Sequence, residues 1–168
     1  MRILQIGKFY PPHMGGMETH LHALCQELLH QAEIQVVVAN DTRHYVTSNI
    51  DGILVARIGK LFTLASTPIC AGMAREIRRS KADITHLHMP NPVGALAYLL
   101  SRHPGALVVT WHSDVVHQRL LAKILSPIEQ AILRRASAVV VASENYLRSS
   151  RPLRAHRPKC KVIPFGIR

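Results

Sequence analysis

Short runs of Val, Ile and Leu alternate along this chain with segments whose apolar residues recur every three or four positions, and no other feature constrains the fold as tightly. Strands that read as unbroken apolar runs are buried on both faces, which calls for a parallel sheet with helices above and below it. The expected class is therefore α/β: a Rossmann-like, doubly wound, mainly parallel sheet with helices on both faces. Strands are expected at 3–7, 34–39, 84–88, 107–111, 138–142 and 161–164, with another at 53–58 paired to 45–47. Met17, Leu21, Leu24 and Leu28 make one stripe of a helix starting near Gly16. Further helices are expected at 68–80, 92–102 and 115–135. The last should break at Ser126-Pro127, where Ser-Pro-Ile-Glu offers an N-cap, a first-position proline and a capping-box Glu129.

At 168 residues, 48% apolar and 18% charged, the chain is the size of one ordinary domain, which excludes a disordered tail or a small disulfide scaffold. Its three cysteines lie far apart without a CxxC, so neither a disulfide framework nor a zinc site is indicated and a reducing, cytoplasmic setting fits. The opening MRILQIG lacks the longer apolar core and cleavage site of a signal peptide. No window approaches the roughly 18 to 20 apolar residues of a membrane span, so membrane contact would be peripheral. Twenty-one Lys+Arg against ten Asp+Glu give a net charge of +11, which attracts phosphates, nucleic acid or anionic lipid without choosing among them.

The first candidate for chemistry is Pro11-Pro12-His13-Met14-Gly15-Gly16-Met17-Glu18, between the first strand and first helix. That is the ligand side of a parallel sheet, where glycines let backbone approach an anion at a helix N-terminus; the plainer alternative is a turn that lets the helix start. The spacing matches neither the dinucleotide GxGxxG nor the P-loop, which argues against NAD binding and NTPase activity. His112, in Val-Val-Thr-Trp-His-Ser-Asp, opens into the same crevice and could bond a sugar hydroxyl or stabilise developing charge, or simply cap a loop. His86 and His88 alternate onto one strand face, with His88 nearer the strand end. A metal would want a third ligand at fixed spacing, and with no HExxH or carboxylate-rich set none is expected. Ser143 is a helix N-cap or a cleft-lining residue. Arg75, Arg78 and Arg79 share a helix face at i, i+3 and i+4, beside a stripe of Ile69, Met73 and Ile77; they form a solvated face or a dock for anionic lipid headgroups.

In order, Pro-Pro-His-Met-Gly15-Gly16-Met-Glu18, Asp-Ile-Thr-His86-Leu-His88, Val-Thr-Trp-His112-Ser-Asp, Ala-Val-Val-Val-Ala-Ser143 and Val-Ile-Pro-Phe-Gly166 resemble the N-terminal half of the family 4 glycosyltransferases. The resemblance spans essentially the whole chain. It implies half of a GT-B fold, in which two Rossmann-like domains face each other across a cleft, and a retaining sugar transfer from a nucleotide sugar without bound metal or other cofactor. Gly15 and Gly16 then match the loop that approaches donor phosphates and acceptor, His112 the histidine beside the transferring sugar, and Glu18 an acid after the glycines. Phe165 departs from the Asn of the family's Pro-Asn-Gly. Residues 1–165 read as the acceptor-side domain and 166–168 as the start of a linker to an absent nucleotide-sugar domain, so the chain, a fragment or a split subunit, is expected to be inactive alone. The expected acceptor is a glycan or lipid-linked glycan of cell-envelope synthesis, with an anionic membrane surface as a further partner and no specific nucleic acid. The rival class is a non-catalytic basic module for nucleic acid or anionic surfaces, disfavoured by 5% aromatic content and the lack of a nucleic-acid motif.

Overall fold

Because successive strand residues point to opposite faces, the continuous apolar runs must be covered twice, and the computed structural model, which describes residues 1–64, 67–114 and 119–165, shows how. The chain runs β1 (Arg2–Ile6), α1 (Gly16–Leu28), β2 (Glu33–Ala39), β3 (Val46–Ile50) and β4 (Ile53–Ile58). A small hairpin, β5 (Phe62–Leu64) and β6 (Thr67–Ile69), precedes α2 (Met73–Arg79), β7 (Ile84–Met89), α3 (Pro92–Ser101) and β8 (Ala106–Trp111). Then come α4 (Arg119–Arg135), β9 (Ala138–Val141), α5 (Glu144–Ser149), a 3-10 turn at Arg154–Lys159 and β10 (Cys160–Val162). The main sheet has the order β10-β9-β8-β7-β1-β2-β4-β3, parallel except for β3, which pairs antiparallel with β4 through Val46↔Arg57 to Ile50↔Ile53. From β1 the chain steps to β2 on one side, and β7 takes the other side, so the strand order reverses between β1 and β7. Ligands of such sheets bind at that reversal, beyond the C-terminal strand ends.

Two cores flank the sheet. Leu4 and Ile6 of β1 point with Val37, Leu87, Val109 and Val141 toward a core that takes in residues of α2, α3, α4 and α5, including the fully buried Ile77 and Tyr98. Ile3 points with Val36 and Val55 toward a smaller core closed by Leu21 and Cys25 of α1. Each fully buried Leu, Ile or Val contributes about 1.5–3 kcal/mol. Among the described residues α1 is the one helix covering its side, and Val108 and Val140 there are only half-buried, whereas Leu107, Val109, Val139 and Val141 opposite are almost entirely shielded.

The expected α/β class and central strands are present, with three corrections. Residues 68–80 are not one helix: Pro68 pairs with Thr63 and Ile69 with Phe62, so the β-branched Thr67 and Ile69 extend and the helix begins at Met73. The helix ending at Arg135 does not break at Ser126-Pro127; α4 runs through Pro127, whose exposed position lets water reach the carbonyl four residues back that proline leaves unbonded. Glu129 consequently caps nothing and lies buried, its carboxyl pushed up by that burial and by Asp114. The start of the expected helix, 115–118, and residues 166–168 of the expected linker lie outside the described residues.

Candidate functional site

The residues at the β1/β7 reversal are polar where a buried sheet should be apolar. Gln5 interrupts the apolar run of β1, His86 and His88 share its face from β7, and Thr110 and His112 continue that face at the end of β8. His88 is 1% exposed; its Nε2 lies 3.0 Å from Gln5 Oε1 and its Nδ1 3.2 Å from His112 Nε2. His86 Nε2 lies 2.7 Å from Thr110 Oγ1. α1 lowers His20 onto this strip one turn after Gly16: its ring centroid is 5.1 Å from His112 and 4.4 Å from Phe165, while Phe165 also packs 5.0 Å from His112. Beside the strip a cavity of about 460 Å³ opens between α1, the sheet and residues 163–165, lined by His20, Leu24, His86, Thr110, Val140 and Phe165.

Burial dominates the electrostatics. It lowers the pKa of His20, lowers His112 to about 4 with a smaller push from His20, lowers His86 to about 3, and holds His88 well below the ordinary value. All four rings are neutral near pH 7, so the cluster offers donors and lone pairs to hydroxyls rather than positive charge to a diphosphate. A carbonyl oxygen can only accept, so His88 carries its proton on Nε2 and its bare Nδ1 accepts from Nε2–H of His112. Nδ1 of His112 remains as that ring's lone pair.

Gly15 is the N-cap of α1 and Gly16 its first residue, with Glu18 in the first turn, where a carboxylate complements the helix dipole. A Cβ at Gly15 would run into Glu18 Oε2, the movable end of that side chain, whereas a Cβ at Gly16 would meet nothing within 4 Å. A side chain at 15 therefore displaces only the Glu18 carboxylate, and at 16 the protein leaves open space.

Of the site residues expected from sequence, the structure brings His88 and His112 into contact and sets Gly15, Gly16 and Glu18 within about a turn of His20 on α1. Ser143, two residues beyond the end of β9, is the N-cap of α5, accepting from Tyr146 N–H at 3.2 Å. Arg75, Arg78 and Arg79 are exposed along α2, away from the strip; Met73 and Ile77 back them in the core, but Ile69 belongs to β6. Sequence reasoning missed His20 and Gln5. Gln5 had a signal, a lone amide in an apolar strand. His20 reaches the site through helix geometry, four residues after Gly16. The polar Asp114 beside His112 has a structural role. Its Oδ1 accepts from Trp111 Nε1 at 2.8 Å, Tyr146 OH at 2.7 Å and Ser150 Oγ at 2.9 Å, tying the end of β8 to α5. His20, His88 and His112 each offer a ligand atom within 4.8 Å of the others, a set that imidazole-binding metals could use. Its third ligand, not evident in the sequence, comes from α1.

A model of Glycosyltransferase Family 4 matches residues 14–168. The chain is 31% identical to an O-antigen chain mannosyltransferase C of Escherichia coli, across 99% of this chain and 46% of that protein. It is 30% identical to the D-rhamnosyltransferase WbpZ of Pseudomonas aeruginosa, across 99% of this chain and 45% of that protein. It therefore spans about half the length of the curated relatives it matches. Among solved structures, Anabaena Alr3699/HepE in complex with UDP and glucose superposes with a TM-score of 0.64 at 18% identity, over 99% of this chain and 45% of that one. Sucrose-phosphate synthase from Thermosynechococcus elongatus superposes with a TM-score of 0.63 at 14% identity, over 99% and 48%.

Proposed function

This chain belongs to glycosyltransferase family 4, as an N-terminal domain of that family, and from that membership we propose that it is the acceptor-binding half of a retaining glycosyltransferase. The enzyme moves a sugar from a nucleotide-sugar donor to a glycan or lipid-linked acceptor in cell-envelope glycan synthesis, in the cytoplasm at the inner face of the membrane. Relatives named as mannosyl- and rhamnosyltransferases support a hexose or deoxyhexose as the transferred group, and the UDP and glucose held by HepE support the donor class.

The observation that carries this reading is the neutral histidine strip at the strand-order reversal, under a helix that begins with Gly16. Neutral imidazoles recognise hydroxyls, and His112 Nδ1 can accept from a sugar hydroxyl whose acidity grows as the ring gains oxocarbenium-like charge. A leaving diphosphate needs preorganised positive groups instead, which the strip does not supply. We assign those to a second domain, with 1–165 as the acceptor-side domain and 166–168 as the start of the linker. In this scheme Gly15, Gly16 and Glu18 border donor phosphates and acceptor, while His88 holds His112. No metal is invoked, since His88 and His112 satisfy each other directly, and transfer by the complete enzyme is expected to survive EDTA.

The rival nucleic-acid reading draws on residues 148–168, which hold seven Lys and Arg and no acid, but that charge is partly committed. Lys159 Nζ donates to the carbonyls of Leu133, Arg134 and Ala136, capping α4, and Arg157 donates to the carbonyl of Arg148. Calorimetry with UDP-glucose and GDP-mannose tests the main reading: weak binding by this chain and tight binding by the complete enzyme are expected. Tight, saturable binding by this chain alone would overturn the two-domain account.

A further inference from the structure

The sequence sets the arginines of α2 beside Ile69, Met73 and Ile77 but gives no sign of the hairpin and the α3 surface next to them. In the structure the β5–β6 hairpin stands where helix was expected, and the chain there exposes Leu61, Phe62 and Leu64 to solvent. With Leu96 and Leu100 of α3 and Ile124 of α4, these six side chains, 44–63% exposed, make up half of the large apolar residues exposed among the described residues. Between hairpin, α2, α3 and α4, Leu64, Leu96 and Leu100 line a groove of about 350 Å³ that reaches Ala74 of α2 and contains no charged side chain. Large exposed apolar surface of this kind marks a docking site rather than ordinary surface.

We propose that this apolar apron seats the domain on an anionic lipid bilayer, with Phe62, Leu64 and Leu100 entering the headgroup boundary and Arg75, Arg78 and Arg79 resting on lipid phosphates. Charge complementarity favours this occupant. The three arginines crown the outer face of α2, opposite Met73 and Ile77, and Arg78 follows Ala74 by one helical turn on the groove side. That helix carries three arginines against one acid, Glu76, which accepts from Tyr45 OH at 3.3 Å. The apron's composition points the same way. Five of its six large side chains are Leu or Ile and none is Trp or Tyr, the aromatic anchors enriched at protein–protein hot spots. Aliphatic and Phe side chains with flanking Arg are the make-up of interfacial membrane binding. Among the described residues no helix is long and apolar enough to cross a membrane, so attachment through this apron is on the surface.

The inference deepens the proposed function, because a lipid-linked acceptor is held at a membrane, yet its test uses no sugar transfer. The chain is co-sedimented with vesicles of phosphatidylcholine, with and without phosphatidylglycerol, at low and high salt. Binding is expected only with phosphatidylglycerol, weakening roughly fivefold for each of Arg75, Arg78 and Arg79 changed to Gln. Phe62→Ser with Leu64→Ser should remove the part that persists in high salt; both positions are exposed, and far-UV CD confirms that the variants fold. Leu100→Ser, on a different element, repeats the test. Absence of binding to anionic vesicles overturns the proposal, as does binding wholly reversed by salt and indifferent to all three apolar changes. Self-association abolished by Leu100→Ser, without vesicle binding, would assign the apron to a second copy of the chain. Failure here leaves transfer to a soluble glycan standing, whereas normal vesicle binding with no transfer by the complete enzyme rejects the transferase reading instead.

Discussion

Nδ1 of His88 and Nε2 of His112 lie 3.2 Å apart, and with Gln5 Oε1 fixing the far side of His88 this contact decides which nitrogen of each ring carries the proton. The carbonyl end of a buried glutamine thus sets, through one histidine, the lone pair that another presents.

Long-range ¹H–¹⁵N spectra of the histidine rings report that arrangement directly. Both His88 and His112 are expected as neutral Nε2–H tautomers at pH 7. Gln5→Leu should leave the fold intact while letting His88 exchange between tautomers. A spectrum with Nδ1–H on both rings would mean that Gln5 donates through its amide and that His112 offers an N–H instead.

Acid should destabilise the domain earlier than its carboxylates alone require. His86 and His112 are lowered to about 3 and about 4 when folded, but titrate near 6.5 unfolded, so between those values the unfolded chain binds more protons. Stability is therefore fully present above about pH 6.5 and falls as pH drops, by up to about 1.4 kcal/mol per pH unit for each such histidine. Thermal melts at pH 7.5, 6 and 5 check the direction; unchanged melting down to pH 5 would show that the rings are solvated rather than buried.

His112→Ala in the complete enzyme is expected to lower kcat by about two to three orders of magnitude with a modest change in donor KM, the scale of losing one preorganised hydrogen bond. His88→Ala should act through His112 and shift the pH dependence of kcat as well as its size. A His112 variant that melts early yet turns over normally belongs to a loop cap, not a reacting site.

The two glycines should separate structure from ligand. Gly15→Ala must swing the Glu18 carboxylate aside and is expected to lower the melting temperature slightly. Gly16→Val meets open space and should fold with a near-normal melting temperature while abolishing transfer, because only a bound ligand can occupy the room its side chain needs. Retained transfer by Gly16→Val would place substrate elsewhere.

The central strands were legible because burial on both faces writes a run of Val, Ile and Leu that periodicity alone can find. The hairpin was not, since Thr67-Pro68-Ile69 reads equally as a helix start, and only pairing with Phe62–Leu64 decides it. The continuity of α4 was hidden because a proline on a solvent face costs less than its reputation suggests. In the site, His112 and His88 showed themselves by ending apolar strands. His20 lies 68 residues before His88 and meets it only through the crossover that docks α1 on the sheet, a relation with no local trace.

The borders of the sheet also bear on how this domain behaves in company. A parallel sheet with long free edges is a template on which other chains can grow. Here one border is β3, an antiparallel strand rich in exposed polar positions that ends in the Asp51-Gly52 turn. The other is β10, three residues long with Lys161 outward and Pro164 just beyond. A charge and a residue without an N–H stand where an added strand would need a smooth ladder. Intermolecular β-sheet growth is thus blunted at both borders, and concentrated solutions should resist fibril formation even with the apolar apron exposed.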